Sequence, residues 1–95
     1  MTVQNYFIKL DDVSYLSHLL TRSPKVFKGL WIRTNGVLKL IPFKEVSETR
    51  IYYYTAGAHK LFILNKIGKQ FFRVQYKSRE PIPEKYIEIL NKPLI

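Results

Sequence analysis

Ninety-five residues make one domain with room for a single hydrophobic core, and the 46% apolar and 24% charged fractions exclude a disordered tail. Cysteine is absent, which excludes disulfides, thiolate zinc sites and cysteine nucleophiles and fits a reducing interior. The formal net charge of +9 says little about fold, but it favours a phosphate polymer or an anionic surface as partner.

Val3 to Leu10 alternates and predicts a first strand, with Tyr6, Ile8 and Leu10 on one face and Asn5 and Lys9 on the other. Asp11 or Asp12 then caps a short helix to about Arg22, with Val13, Leu16, Leu19 and Leu20 as its buried stripe and Ser23-Pro24 as its stop. Lys25 to Arg33 and Val37 to Phe43 flank Thr34-Asn35-Gly36, a hairpin signal. A two-residue loop there would set Arg33 beside Leu38 and Ile32 beside Lys39. A three-residue loop, with Gly36 left-handed in a bulge, groups Leu30, Ile32, Leu38 and Leu40, and is the expected form.

Pro42 ends that strand or marks an edge, and Lys44 to Glu48 reads as a loop or single helical turn. Ile51 to Thr55, Lys60 to Asn65 and Lys69 to Lys77 predict a three-strand meander, with turns at Ala56-Gly57-Ala58-His59 and Lys66-Ile67-Gly68. With those turns one face holds Ile51, Tyr53, Phe62, Leu64, Phe72, Val74 and Tyr76. The other holds Tyr52, Tyr54, Leu61, Ile63, Phe71, Arg73, Gln75 and Lys77. Pro81 and Pro83 break the chain, and Pro83 opens a final helix to about Asn91, docked by Tyr86, Ile87 and Leu90. The order implies one α+β domain over residues 1–95: a twisted antiparallel sheet of five to six strands, open or curled into a partial barrel, with one helix after the first strand and one at the C-terminus.

The seven acids sit at Asp11 and Asp12, Glu45 and Glu48, and Glu80, Glu84 and Glu88. Residues 13–44 and 49–79 hold none, and they hold nearly all the strand sequence. A sheet with a basic and aromatic face points to a polyanion. The predicted nucleic-acid-binding residues are Trp31, Arg33, Lys39, Tyr52, Tyr54, Phe71, Arg73, Gln75, Lys77 and Arg79. Rings stack on unpaired bases or wedge into a minor groove, Arg and Lys neutralise phosphates, and Gln75 or Arg73 can read a base edge. Leu61 and Ile63 share that face, which supports the competing expectation that its rings form a second core. Arg22, Lys25 and Lys28 make a smaller basic cluster after the first helix, and the turns at His59-Lys60 and Lys66 to Lys69 carry further cations.

Residues 69–73 and 80–83, following a basic hairpin, resemble in architecture the small basic chromatin proteins of archaea, which lay a twisted sheet on duplex DNA. The N-terminal strand and helix have no counterpart there, so no family is assigned.

Two histidines, His18 and His59, without a neighbouring acid do not form a metal site, and no glycine-rich phosphate loop or nucleophile elbow occurs. No cofactor, metal or small-molecule substrate is expected. A metal-free ribonuclease remains the one catalytic alternative, with His59, Lys60, Arg73, Tyr52 and Tyr54 converging on a phosphate. Met1 to Leu10 lacks a signal-peptide pattern and the apolar runs, such as Leu61 to Leu64, are short, so a soluble cytoplasmic chain with no membrane partner is expected. The leading expectation is a small basic nucleic-acid-binding protein with weak sequence specificity, duplex DNA slightly favoured. A protein-interaction module that dimerises through an edge strand or binds an acidic partner by adding a strand, or a viral or plasmid accessory protein that acts by dimerisation or by binding a host protein, is the alternative.

Overall fold

The computed structural model describes residues 2–55, 57 and 60–91. Among these the chain runs β1 (Thr2–Lys9), α1 (Leu10–Thr21), β2 (Gly29–Thr34), β3 (Val37–Pro42), a 3-10 turn (Phe43–Glu45), β4 (Ile51–Thr55), β5 (Leu61–Ile67), β6 (Phe71–Ser78) and α2 (Glu84–Leu90). It is an α+β fold. The six strands divide into a four-stranded antiparallel sheet, in the order β1-β6-β5-β4, and a separate hairpin of β2 with β3. No helix among the described residues is long and apolar enough to cross a membrane.

One face of the four-stranded sheet carries the core. Ile8, Phe72, Val74, Tyr76, Phe62, Leu64, Tyr52 and Tyr54 pack there against Val13 and Leu16 of α1, Leu30 of β2 and Tyr86, Ile89 and Leu90 of α2. The Phe62 and Tyr86 rings meet edge to face at 5.1 Å, a geometry that favours aromatic pairs beyond simple burial. The docking face of α2 is thus Tyr86, Ile89 and Leu90; Ile87 lies outside it, exposed.

α1 begins two residues earlier than an Asp11 cap and three earlier than an Asp12 cap would set it. Lys9 is its N-cap position without a side-chain cap bond, and Asp11 and Asp12 sit in the first turn, where negative charge complements the helix dipole. Its buried face is also more polar than expected. Ser14, Ser17 and Thr21 are buried with Val13 and Leu16, whereas Leu19 and Leu20 are only partly covered. Small side chains let the helix approach β2 closely and bond to it: Ser14 Oγ donates to the Gly29 carbonyl at 2.6 Å, and the Trp31 N–H donates to Ser17 Oγ at 3.0 Å. Two hydroxyls therefore serve a strand edge that would otherwise bury unpaired backbone groups.

The β2–β3 turn corrects the expected loop. Thr34 pairs with Val37, leaving a two-residue turn in which Asn35 (φ 52°) and Gly36 (φ 79°) are both left-handed. This is the backbone that Asn-Gly favours in a type I′ hairpin. Arg33 does face Leu38, and Ile32 faces Lys39. The mixing is tolerated because the outer half of the hairpin is in solvent, where Arg33, Thr34, Val37 and Lys39 are exposed, so turn chemistry sets the register.

Candidate nucleic-acid interface

The far face of the four-stranded sheet is built row by row from the register. Lys9, Phe71 and Ile67 form one row; Phe7, Arg73, Asn65 and Ile51 the next; then Asn5, Gln75, Ile63 and Tyr53; and finally Lys77, Leu61 and Thr55. β6 shows why these residues share a face: its alternate residues Phe72, Val74, Tyr76 and Ser78 are buried, and Phe71, Arg73, Gln75 and Lys77 are part-exposed. Several apolar side chains stand well out of this surface, with Tyr53 63%, Phe7 48%, Ile51 44% and Ile67 40% exposed. None of the described residues on the face is acidic.

The face has two halves. β1 and β6 contribute Phe7, Phe71, Lys9, Arg73 and Lys77 with the amides of Asn5 and Gln75, while β4 and β5 contribute an aliphatic field of Ile51, Leu61, Ile63 and Ile67 around Tyr53. Arg73 Nε donates to Asn65 Oδ1 at 2.9 Å, a bond that orients the guanidinium at the seam between the halves.

Of the ten residues predicted from sequence, Phe71, Arg73, Gln75 and Lys77 lie together here. Tyr52 and Tyr54 do not: they point into the core, and Tyr53 takes the place they were expected to hold. The cause is a one-residue slip. Thr55 pairs with Leu61, so five residues separate the strands where a four-residue turn was expected, and an odd change in loop length moves every side chain of β4 to the opposite face. The turn residues Ala56, Ala58 and His59 lie outside the described residues.

Trp31 is also buried, on β2, with its indole N–H donating to the Val26 carbonyl at 2.8 Å. Its own carbonyl accepts a 2.7 Å hydrogen bond from the Tyr54 hydroxyl, which ties β4 to the hairpin. Burial, reinforced by the nearby Tyr52, pushes the Tyr54 hydroxyl well above the ordinary tyrosine range. Arg33 caps α1, donating to the Thr21 carbonyl at 2.9 Å, where a cation complements the helix C-terminus. Lys39 is exposed on the hairpin, away from the sheet face. Arg79 leaves the end of β6 and lines a separate hollow of about 410 Å³ with Gln4, Tyr6 and Ile82.

The convergence imagined for a ribonuclease does not form from these parts. Tyr52 and Tyr54 lie on the opposite face of the sheet from Arg73, and His59 is outside the described residues.

Sequence reasoning missed Phe7 and Tyr53: the alternation of β1 held the signal for Phe7, whereas Tyr53 is placed only by the β4–β5 register. It also missed a ring cluster at the surface: Tyr15 and Phe27 meet at 5.5 Å and His18 lies 5.5 Å from Phe27 and 5.9 Å from Tyr15. The i, i+3 spacing of Tyr15 and His18 on α1 was the available clue. No family model, no curated protein and no solved structure matches the chain.

Proposed function

We propose that this chain is a nucleic-acid-binding module that holds a single strand across the outer face of its four-stranded sheet. The carrying observation is the β1–β6 half of that face, where Phe7 and Phe71 stand beside Lys9, Arg73 and Lys77 with no carboxylate among the described residues. Rings on an open sheet stack on unpaired bases, while the cations neutralise the passing phosphates. This favours a single strand over the duplex DNA suggested by composition. Specificity is weak, since backbone charge and stacking carry little base information; Asn5 and Gln75 supply the only side-chain amides in the row between the rings and Lys77.

The test is fluorescence anisotropy with labelled single-stranded DNA, RNA and duplex of about 12 nucleotides, titrated across salt. Arg73→Gln with Lys77→Gln should weaken single-strand binding and reduce the log–log salt slope by about 1.4, two phosphate contacts at about 0.7 each. Unchanged affinity and slope in the double variant would overturn the site.

The aliphatic half supports a second reading, in which Ile51, Tyr53 and Ile67 dock a second copy of the chain. A concentration-dependent dimer in sedimentation, broken by Tyr53→Lys, would favour it.

A further inference from the structure

Among the described residues β4 is the last strand of its sheet, paired with β5 along one edge and with no strand along the other. Its sequence, Ile-Tyr-Tyr-Tyr-Thr, has high β-propensity and carries no charge or proline. Edge strands are ordinarily blunted by lysine, proline or a bulge, because an open row of N–H and C=O groups recruits further strands. The other strands that end a sheet are guarded: β3 carries Lys39 and stops at Pro42, β1 ends on Lys9, and β2 carries Arg33 and is covered by α1, whose Ser14 and Ser17 bond to it. β4 is unguarded.

The unguarded edge borders a cleft. A space of about 560 Å³ takes in all five residues of β4 and is walled on the other side by the end of α1 and by β2 and its turn. The Tyr54–Trp31 hydrogen bond ties the walls together. Among the described residues two cations line the cleft, Arg33 and Arg50, and no carboxylate does. Arg33 is held by the Thr21 and Gly36 carbonyls, and Arg50 stands over the Tyr52 ring at 5.0 Å.

We propose that the free edge of β4 binds an extended acidic peptide, which adds as a further strand in this cleft and places its carboxylates against Arg33 and Arg50. A strand edge offers donors and acceptors alternately. A polypeptide satisfies both, whereas a phosphate backbone only accepts, so main-chain chemistry selects peptide over nucleic acid. The lining selects against β4 of a second copy as the added strand, since Ile51–Thr55 carries no carboxylate to meet Arg33 and Arg50. The site shares Ile51, Tyr53 and Thr55 with the outer sheet face but none of that face's cations, and it does not depend on nucleic-acid binding there.

The probe is a fluorescein-labelled peptide of alternating Glu and Val, compared by anisotropy with a Lys–Val peptide and with a fully N-methylated Glu–Val peptide. Amide hydrogen exchange is followed in parallel. The proposal expects the Glu–Val peptide alone to bind and to slow exchange within Ile51–Thr55. Arg50→Glu, a change at an exposed residue, should weaken it roughly tenfold, and Arg73→Glu on the sheet face should leave it unchanged. Equal binding of the N-methylated peptide would mean charge without strand addition, and would overturn the proposal. So would equal loss in Arg73→Glu, unprotected β4 amides, no binding at low salt, or a dimer that pairs through β4. Failure of the nucleic-acid site shows separately, in the oligonucleotide titrations with Arg73→Gln and Lys77→Gln.

Discussion

Tyr54→Phe removes one oxygen atom from the junction of the two sheets. The ring volume is kept, so no cavity opens; the loss is the 2.7 Å hydrogen bond to the Trp31 carbonyl, at a site where both residues are buried. Leaving that carbonyl without its donor costs about 1–3 kcal/mol. In a domain of this size each kcal/mol lowers Tm by about 4–8 °C. The pH dependence gives a sharper test. The folded hydroxyl ionises well above its ordinary value because it is buried, with Tyr52 adding to the shift. The unfolded chain therefore ionises first, near pH 10, and above that point this group's contribution to stability falls by about 1.4 kcal/mol per pH unit. Below pH 10 the contribution is whole. Urea unfolding of both proteins at pH 7 and pH 11 should then show a gap that is large at pH 7 and reduced or closed at pH 11. A gap of the same size at both pH values, or one below about 0.5 kcal/mol at pH 7, would refute the buried donor.

Gly29→Ala should cost about 3 kcal/mol or more in urea melts, since the added methyl would collide with the backbone carbonyl of Ile41 across the hairpin; Gly36→Ala, in open space at φ 79°, should cost only about 1–2 kcal/mol. Phe7→Ala should weaken single-strand binding by about 1–3 kcal/mol with little effect on duplex, and Tyr52→Phe should leave binding unchanged, because its ring faces the core.

The element types were legible because periodicity and punctuation agree. The alternation of β6, the Ser23-Pro24 stop and the proline break before α2 each have a local physical cause. What was not legible was the choice between faces. On β4 three consecutive tyrosines give no alternation, so only the length of the connection that follows to β5 decides which rings are buried, and a single residue there moved Tyr52 and Tyr54 inside. At the hairpin side-chain matching and the Asn-Gly turn conflict, and the turn prevails because solvent around the outer half of the hairpin removes the penalty for mixing. The cations of β6 were found because strand alternation placed them correctly whatever β4 did. The serines of α1 were missed because a hydroxyl that bonds to a neighbouring strand looks, in sequence, like a solvated one.

The pairing of β1 with β6 joins Thr2 to Ser78, so the four-stranded sheet is sealed by the two most distant strands of the chain. During synthesis the β2–β3 hairpin and the β4–β5–β6 meander have their partners close by in sequence, but β1 emerges first and must wait for the last strand. Until then Phe7 and Ile8 are apolar groups on an unpaired segment, the condition in which chains stick to one another or engage a chaperone. Closing so long a loop late makes folding slow, and it makes the finished sheet cooperative: β1 cannot detach without opening the face that carries Phe7 and Arg73 together.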